Sequence, residues 1–415
     1  MKTHVVIIGA GIAGLSAAYA ARARATSVTI VSAGAGASAL GGGAVDDLPW
    51  EAWYAAARTL GEVPKLRSIP EQVRSFSDAL GLWDLPVIDK PAPIVATAAG
   101  RLRPARGRDR GLLDLGSLRQ TTVLVPRLPR ANWDADTLCA TLESEWLARE
   151  AGLRFVPVDA PVFRFTEETR IADADLAMRH DEPARLGWLA DRLREMLDVA
   201  RRSTPASAIL LGSWLGVDRE RSTELSAKVG VPVGEILVGV GSSAGLRFEA
   251  AAKRLVNRLS VKFVESRVHE LRREGDKIEV VLSGTEFLSA DALVIATGGV
   301  ASGGLLYSPP DLLAGEHMPS QIDPAFVFGI PTTGLSVALR VGNERIDAGS
   351  SVFGPALDTT AWPHNARQSM LESVGIDAVD GRVCPGVVAA GDVVAGKRRT
   401  VLEVVASGLR AGQMV

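Results

Sequence analysis

The chain opens with an apolar run of strand length, Val5-Val6-Ile7-Ile8. An alanine-rich stretch from Leu15 to Ala25 then predicts a helix, and Val28-Thr29-Ile30-Val31 predicts a second strand. Apolar runs without alternation are what strands covered on both faces require. Farther on, Leu48 to Leu60 predicts a helix with Trp50, Trp53 and Tyr54 on or near one face, where core packing is the default for aromatics. Pro64 to Arg130 is irregular and proline-rich, with a short β-branched strand at Thr121 to Val125. Asp134 to Glu150 and residues 186–202 predict helices, and Ala208 to Leu211 a buried strand. This middle region has the order of an inserted α/β domain.

The opening pattern returns after residue 244. Leu246 to Arg258 predicts a helix, Val261 to Leu271 a strand with a charged edge, and Lys277 to Leu282 its hairpin partner across Glu274-Gly275-Asp276. After a short strand at Phe287 to Ala290, Asp291 to Gly299 reads as a buried parallel-type strand ending in two glycines; it would join the sheet begun by Val5 to Ile8. Near the end, Gly386 to Asp392 delivers an acid just after Gly391. Thr400-Val401-Leu402-Glu403 fits a capping box opening a last helix, Val401 to Met414.

Between the first strand and helix, Gly9, Gly11 and Gly14 stand at the spacing G-x-G-x-x-G, with Ile12 and Ala13 inside it. In that context the glycines let the chain turn sharply, approach a pyrophosphate and pack helix on strand, while the free amides at the helix start face the phosphates. An Asp or Glu normally follows the second strand to accept from ribose hydroxyls. This chain has Ser32 and Ala33 there, so either backbone and neighbours hold an adenosine or the ligand is a mononucleotide. The loop Ser38 to Asp46 holds Gly41, Gly42 and Gly43 in a row, a costly choice for a connector, and reads as backbone lying against a flat ring. Asp392, at the end of a short buried strand, reads either as a solvated turn residue or as an acid placed where a chain would meet the ribityl or pyrophosphate part of a flavin.

Length and charge narrow the class. With 415 residues there is room for two domains, and a net charge of -2 gives no reason to expect nucleic acid or an anionic membrane surface. No apolar run reaches the roughly 18 residues of a spanning helix, so a soluble protein is expected. Lys2, the apolar segment and Ala18-Tyr19-Ala20 resemble a secretory leader, but cleavage there would remove the glycine motif, and the segment is expected to stay. Cys139 and Cys384 make no clustered spacing and read as buried small hydrophobes; two cysteines cannot supply the four ligands of an iron–sulfur cluster. The histidines at 4, 180, 269, 317 and 364 lack zinc spacing, and no metal site is expected. The basic run from Arg101 to Arg110 reads as solvated surface or as a docking patch for an acidic partner.

The G-A-G-I-A-G unit, the A-T-G-G strand at 296–299 and the A-A-G-D at 389–392 together resemble the flavoprotein superfamily that includes fumarate reductases and glutathione reductase. Within it the chain is similar to the B-type subunit of the anaerobic glycerol-3-phosphate dehydrogenase complex. The shared features are a hydroxyl residue at Ser32, the loop end Gly43-Ala44-Val45-Asp46 and the stretch Gly298 to Gly304, strongest over 1–48, 246–305 and 365–415. The resemblance implies an α/β, Rossmann-like flavoprotein of the two-dinucleotide-binding-domain layout with an inserted α/β cap domain. Residues 1–104, 246–308 and 366–415 would form the flavin domain, and 105–245 and 309–365 the cap. The implied cofactor is FAD, with FMN as the alternative. Its contacts would be Gly9, Gly11, Ile12, Ala13, Gly14, Ser32, Gly41, Gly42, Gly43, Thr297, Gly298, Gly391, Asp392, Thr400 and Val401. Also implied are a dehydrogenase partner and an iron–sulfur subunit, and a cytoplasmic location that meets the inner face of the membrane only through those partners. The family's glycine-rich stretch before the last helix is replaced by Gly396-Lys397-Arg398-Arg399. These cations either turn inward, raising a flavin potential, or face solvent or a partner.

Three functions compete at this level. One is an electron-relaying flavoprotein within a complex. Another is a self-contained dehydrogenase or reductase of a small organic acid, for which His364, Arg340 and Arg345 are the candidate catalytic groups. The third is a scaffold that has lost its flavin.

Overall fold

The computed structural model describes residues 3–25, 27–34, 36–60, 66–88, 90–130, 132–160, 171–284, 286–308, 325–341, 344–347, 352–353 and 371–415. It is a mixed α/β structure with parallel and antiparallel sheets, divided into two compact units. The first comprises Met1–Ser38, Glu71–Phe76 and Ala252–Val415, the second Ala39–Pro70 and Ser77–Ala251.

In the first unit a six-stranded sheet runs in the order Lys262–Glu265, Ser27–Ser32, His4–Ile8, Ala292–Ile295, Val387–Ala389, Arg382–Cys384. All pairings are parallel except the last, an antiparallel edge. The pairing of Val5 with Ala292 through Ile8 with Ile295 is the one the apolar run at 292–295 called for. Alternation then sorts the faces. Val6, Ile8, Leu293, Ile295, Val387 and Ala389 share a core with Leu271, Ile278 and Val280 of a four-stranded sheet built from Phe287–Ala290, Lys277–Leu282, Val268–Glu274 and Thr332–Thr333. Helix Ile12–Ala21 has eight of its ten residues buried, which explains an apolar composition all round rather than a stripe. It packs on the last helix, Val401–Met414, through small residues. A Cβ on Gly408 would stand 2.3 Å from Ala13 O, and one on Gly412 2.1 Å from Ala17 O. Only glycine lets the two backbones approach this closely.

The second unit holds a parallel sheet in the order Val233–Glu235, Ala206–Leu211, Thr121–Arg127, Leu153–Asp159. Val123, Val125, Ala208 and Leu210 pack with helix Ala135–Ser144 in one core; Leu124, Ile209 and Leu211 pack with helix Pro183–Arg201 in another. Two covered faces account for the unbroken apolar runs. The unit also holds an ion triad that no sequence pattern marks: Arg247 meets Asp109 at 2.9 Å and Glu235 at 2.6 Å, all fully buried. The guanidinium also donates to the Leu215 and Gly216 carbonyls, so the buried charges are bonded as burial demands.

Several expectations are corrected. The first helix begins at Ile12 and ends at Ala21, because the glycine turn itself supplies the N-terminus. Val261 to Leu271 is two strands in two sheets, Lys262–Glu265 and Val268–Glu274. Asp134 to Glu150 breaks at Glu145, whose extended backbone places its carboxylate against Tyr54 Oη at 2.9 Å and Arg101 at 3.4 Å. The Pro64 to Arg130 stretch contains a helix, Glu71–Leu80. The basic run is solvated only at its ends, Arg101 and Arg110: Arg103 is buried and pairs with Asp46 at 2.7 Å, and Arg106 is fully buried, donating to the Pro86 and Arg67 carbonyls. Residues 39–70 and 77–104 belong with the second unit, whose short sheet Ala44–Val45, Gly107–Asp109, Trp83–Asp84 ties them in. The described strands between 325 and 353 fall within the first unit, where Thr332–Thr333 pairs with Val268–Glu274 and Ala338–Val341 with Val374–Ile376. Among the described residues no helix is long and apolar enough to cross a membrane.

Candidate functional site

The carboxyl ends of the parallel strands in the first unit converge on a groove of about 430 Å³. It is lined by Gly9, Gly11, Ile12 and Ala13 from the first turn, Ser32 to Gly34 and Gly36 to Ser38 from the second, Thr297 and Gly298, and Asp392. That is where ligands of open parallel sheets bind, and the volume suits a cofactor.

The three glycines of the motif have three separate reasons. Gly9 sits at φ 109°, and a Cβ there would lie 2.2 Å from Ala296 O. Gly14 has no room for a Cβ, which would lie 1.9 Å from Gly9 O, so helix and turn close on each other through it. Gly11 is the open one. A Cβ there would meet only Ser38 Oγ, at 3.1 Å, and otherwise face the groove. Ser38 Oγ also accepts from Ile12 N at 3.0 Å, satisfying one of the orphan amides of the helix start. No local signal pointed to Ser38, which lies 26 residues from the amide it caps.

Opposite the helix start, Gly391 at φ 76° brings its chain within reach of the first helix; a Cβ there would lie 2.7 Å from that of Ala13. The turn puts Asp392 into the groove lining. Its Oδ1 is buried and has no hydrogen-bond partner, and Thr297 Oγ1 and Thr400 Oγ1 are in the same condition. Buried polar oxygens are ordinarily bonded, so the two orphans in the lining, on Asp392 and Thr297, fit a polar ligand with hydroxyl donors. Burial raises the Asp392 carboxyl above its ordinary value; Arg399 opposes that shift and Glu372 adds to it. The unfolded chain therefore loses this proton at lower pH than the folded one, and stability falls as pH rises between the ordinary and the raised value. Asp392→Asn in the ligand-free protein is expected to raise the urea midpoint at pH 8 and to change nothing at pH 3. A variant less stable than the parent at pH 8 would mean that Asp392 is bonded in the folded chain.

Other candidates are placed differently. Thr400 caps the last helix without a side-chain bond, so the capping box does not form. Gly391, Thr400 and Val401 support the site from outside its lining, and Val404 takes the lining position on that helix. Ser32 lines the groove, yet its hydroxyl donates to Gly34 O at 2.7 Å, a turn that uses its proton. Gly41, Gly42 and Gly43 belong to the second unit, where packing accounts for two of them: a Cβ on Gly42 would lie 2.1 Å from Val238 O, and one on Gly43 2.8 Å from the Asp109 Cβ. They are not among the lining residues. Arg340 lies against Gly396 and 3.8 Å from Asp377, and Arg345 lies 3.5 Å from the same carboxylate; neither lines the groove. His364 lies outside the described residues. Of the three cations before the last helix, Arg398 is exposed and Lys397 half-buried, while Arg399 turns inward and donates to Val374 O at 3.0 Å. The lining also includes Ser266, Arg267, Ser302 to Gly304 and Gly329, which no motif marked. Among the described residues no group of three or more His, Cys, Asp or Glu is placed to hold a metal ion. Cys139 is buried, which pushes its thiol up to about 12, and it is unreactive for that reason.

No family model matches the chain, and no curated protein matches it. Solved structures do. The glycine oxidase of Bacillus cereus is matched at 13% identity with a TM-score of 0.32, over 100% of this chain and 94% of that one. A putrescine oxidase is matched at 11% and 0.31, over 99% and 98%. A peptidyl tryptophan dihydroxylase is matched at 15% and 0.31, over 99% of this chain but 66% of that one, so this chain spans just under two thirds of its length. Scores this low carry neither a fold nor an activity across.

Proposed function

We propose that the chain is a flavin-binding oxidoreductase that works as part of a complex. The observation that supports it most is the pairing of an open helix start, at Gly11 to Ala13, with the unpartnered oxygens of Thr297 and Asp392 in one groove. A phosphate alone would explain the helix start. Thr297 and Asp392 call for a second, hydroxylated stretch of ligand, which a ribityl chain supplies.

In this reading the amides of the first turn bind phosphate, with the helix dipole behind them. Asp392 accepts from a ribityl hydroxyl and Thr297 bonds the same chain, while Gly298 and Gly304 let the loop behind them close on itself, a Cβ on Gly304 standing 2.0 Å from Gly298 O. FAD is the expected ligand, with FMN as the alternative. When bound, the flavin supplies hydride or one-electron transfer, which no side chain provides. The second unit is the candidate substrate or partner domain. The finer role is that of a relay comparable to the B-type subunit of anaerobic glycerol-3-phosphate dehydrogenase, taking electrons from a dehydrogenase partner and passing them to an iron–sulfur partner. Its support is the sequence resemblance, together with a cysteine count of two that cannot hold a cluster.

The test is calorimetric titration with FAD, FMN, NAD and NADP. Tight, saturable binding of one flavin and none of the nicotinamide nucleotides is expected; the reverse order would end the flavin reading. Asp392→Asn should weaken the flavin by about 1–2 kcal/mol, roughly tenfold or more in Kd, because a charged acceptor becomes a neutral one. An unchanged Kd would take Asp392 out of the site.

A further inference from the structure

We propose that a second cavity of the first unit, at the amino ends of the parallel strands, is a site for a small oxyanion of the phosphate class. It measures about 270 Å³, and its polar lining is His4, Arg22, Ser27, Thr29, Ser260 and Lys262. Three basic side chains and three hydroxyls thus meet with no carboxylate in the lining, on a chain whose net charge is -2. Pockets for drug-sized ligands start at about 300 Å³, so a small anion is the fit. The inference does not depend on the flavin reading, whose groove lies at the opposite, carboxyl ends of the same strands.

Two of the cations are available. Lys262 is exposed, and its ammonium has no partner among the described residues. Arg22 is fixed by Nε, which donates to Leu259 O at 3.0 Å and leaves both terminal nitrogens without a partner among the described residues. That bond also occupies a carbonyl just beyond helix Ser243–Arg258. Ser260, at φ 53°, closes the same helix end: its amide donates to Asn257 O and the Val261 amide to Val256 O. These three carbonyls are therefore spent and do not repel an anion as bare acceptors.

The hydroxyl of Thr29 is buried, and His4 decides whether it is available. His4 Nδ1 lies 2.8 Å from Ser289 O; a carbonyl only accepts, so Nδ1 carries a proton. Nε2 lies 3.0 Å from Thr29 Oγ1. In a neutral ring Nε2 must accept, which uses the Thr29 proton. In a charged ring Nε2 donates instead, and the Thr29 proton turns to the cavity. Protonation of His4 thus adds a charge and frees a donor together, so proton and anion bind cooperatively. The charged groups around His4 are Arg22 and Lys262 in the lining, Asp291, which accepts from the His4 amide at 2.8 Å, Lys277, paired with Asp291, and Glu279, opposite Ser289 in the neighbouring strand.

Calorimetric titration with sodium sulfate, whose charge is constant between pH 5.5 and pH 8.5, tests this. The parent should bind one sulfate in this cavity, tighter at pH 5.5 than at pH 8.5 by roughly tenfold or more. Gly11→Val, which fills the groove at its helix start, should leave that response intact. Lys262→Gln should weaken binding at both pH values and keep their ratio. His4→Gln should abolish the ratio, Thr29→Val should reduce it, and Thr29→Ser should behave as the parent does. Absence of saturable binding at pH 5.5, binding that Lys262→Gln leaves unchanged, or a ratio that survives in His4→Gln overturns the proposal. Binding lost in Gly11→Val would put the anion in the groove and overturn it equally. Should His4→Gln or Thr29→Val not fold, the exposed change Lys262→Gln and the conservative Thr29→Ser still decide it.

Discussion

Gly11→Val is expected to give a folded protein that binds no flavin. The backbone at Gly11 has φ -70° and ψ -178°, extended geometry that a β-branched residue adopts without strain. The new Cβ would meet a single side-chain oxygen at 3.1 Å, and Ser38 can rotate away. The rest of the valine would occupy the entrance through which a phosphate reaches the helix start beyond the Ile12 amide, which Ser38 Oγ already holds. Thermal unfolding should therefore stay close to the parent, while affinity should drop by a hundredfold or more, about 2.7 kcal/mol. Flavin absorbance at the parent's stoichiometry after reconstitution would contradict this.

Gly14→Ala, only three residues on and a smaller change, should have the opposite character. Here the obstacle is backbone: the added methyl would stand 1.9 Å from Gly9 O. Gly9 cannot yield, because its amide donates to Val31 O at 2.8 Å and Ala296 O closes on its other side. Relief requires parting the first helix from the sheet, and with it the Gly408 and Gly412 contacts of the last helix. A loss of about 4 kcal/mol or more is expected, in the range reserved for buried steric defects. Urea unfolding at constant slope checks it. A variant within about 1 kcal/mol of the parent would mean that the turn is looser than its packing indicates.

Those two glycines also mark what the sequence could and could not reveal. Their spacing was legible because a turn between a strand and a helix is local, and so was the strand Ala292–Ile295, whose unbroken apolar character demanded an interior place beside His4–Ile8. Asp392 was legible for a similar reason, following a glycine at the end of a short apolar run. The rest of the lining was not. Ser38, Ser266 and Arg267 reach the groove from loops whose residues follow no period: Ser38 is held by an amide 26 residues away, and Ser266 and Arg267 follow a strand, Lys262–Glu265, that pairs with the distant Ser27–Ser32. The basic run misled for a related reason. Arg103 and Arg106 look solvated until Asp46 and the carbonyls of Pro86 and Arg67 are found around them, and no composition rule reports a partner that far along the chain. At Thr400 the box pattern was present but its bond was not, and the hydroxyl is one of the unpartnered oxygens instead.

The central claim is that this groove holds a flavin nucleotide. The most direct test is the mass of the small molecule released on denaturation, after the purified protein has been incubated with FAD and FMN together and freed of excess ligand. One flavin, in a ratio near one per chain in the parent and absent from Gly11→Val, is the result expected. No flavin released from the parent, or equal amounts from both proteins, would contradict it.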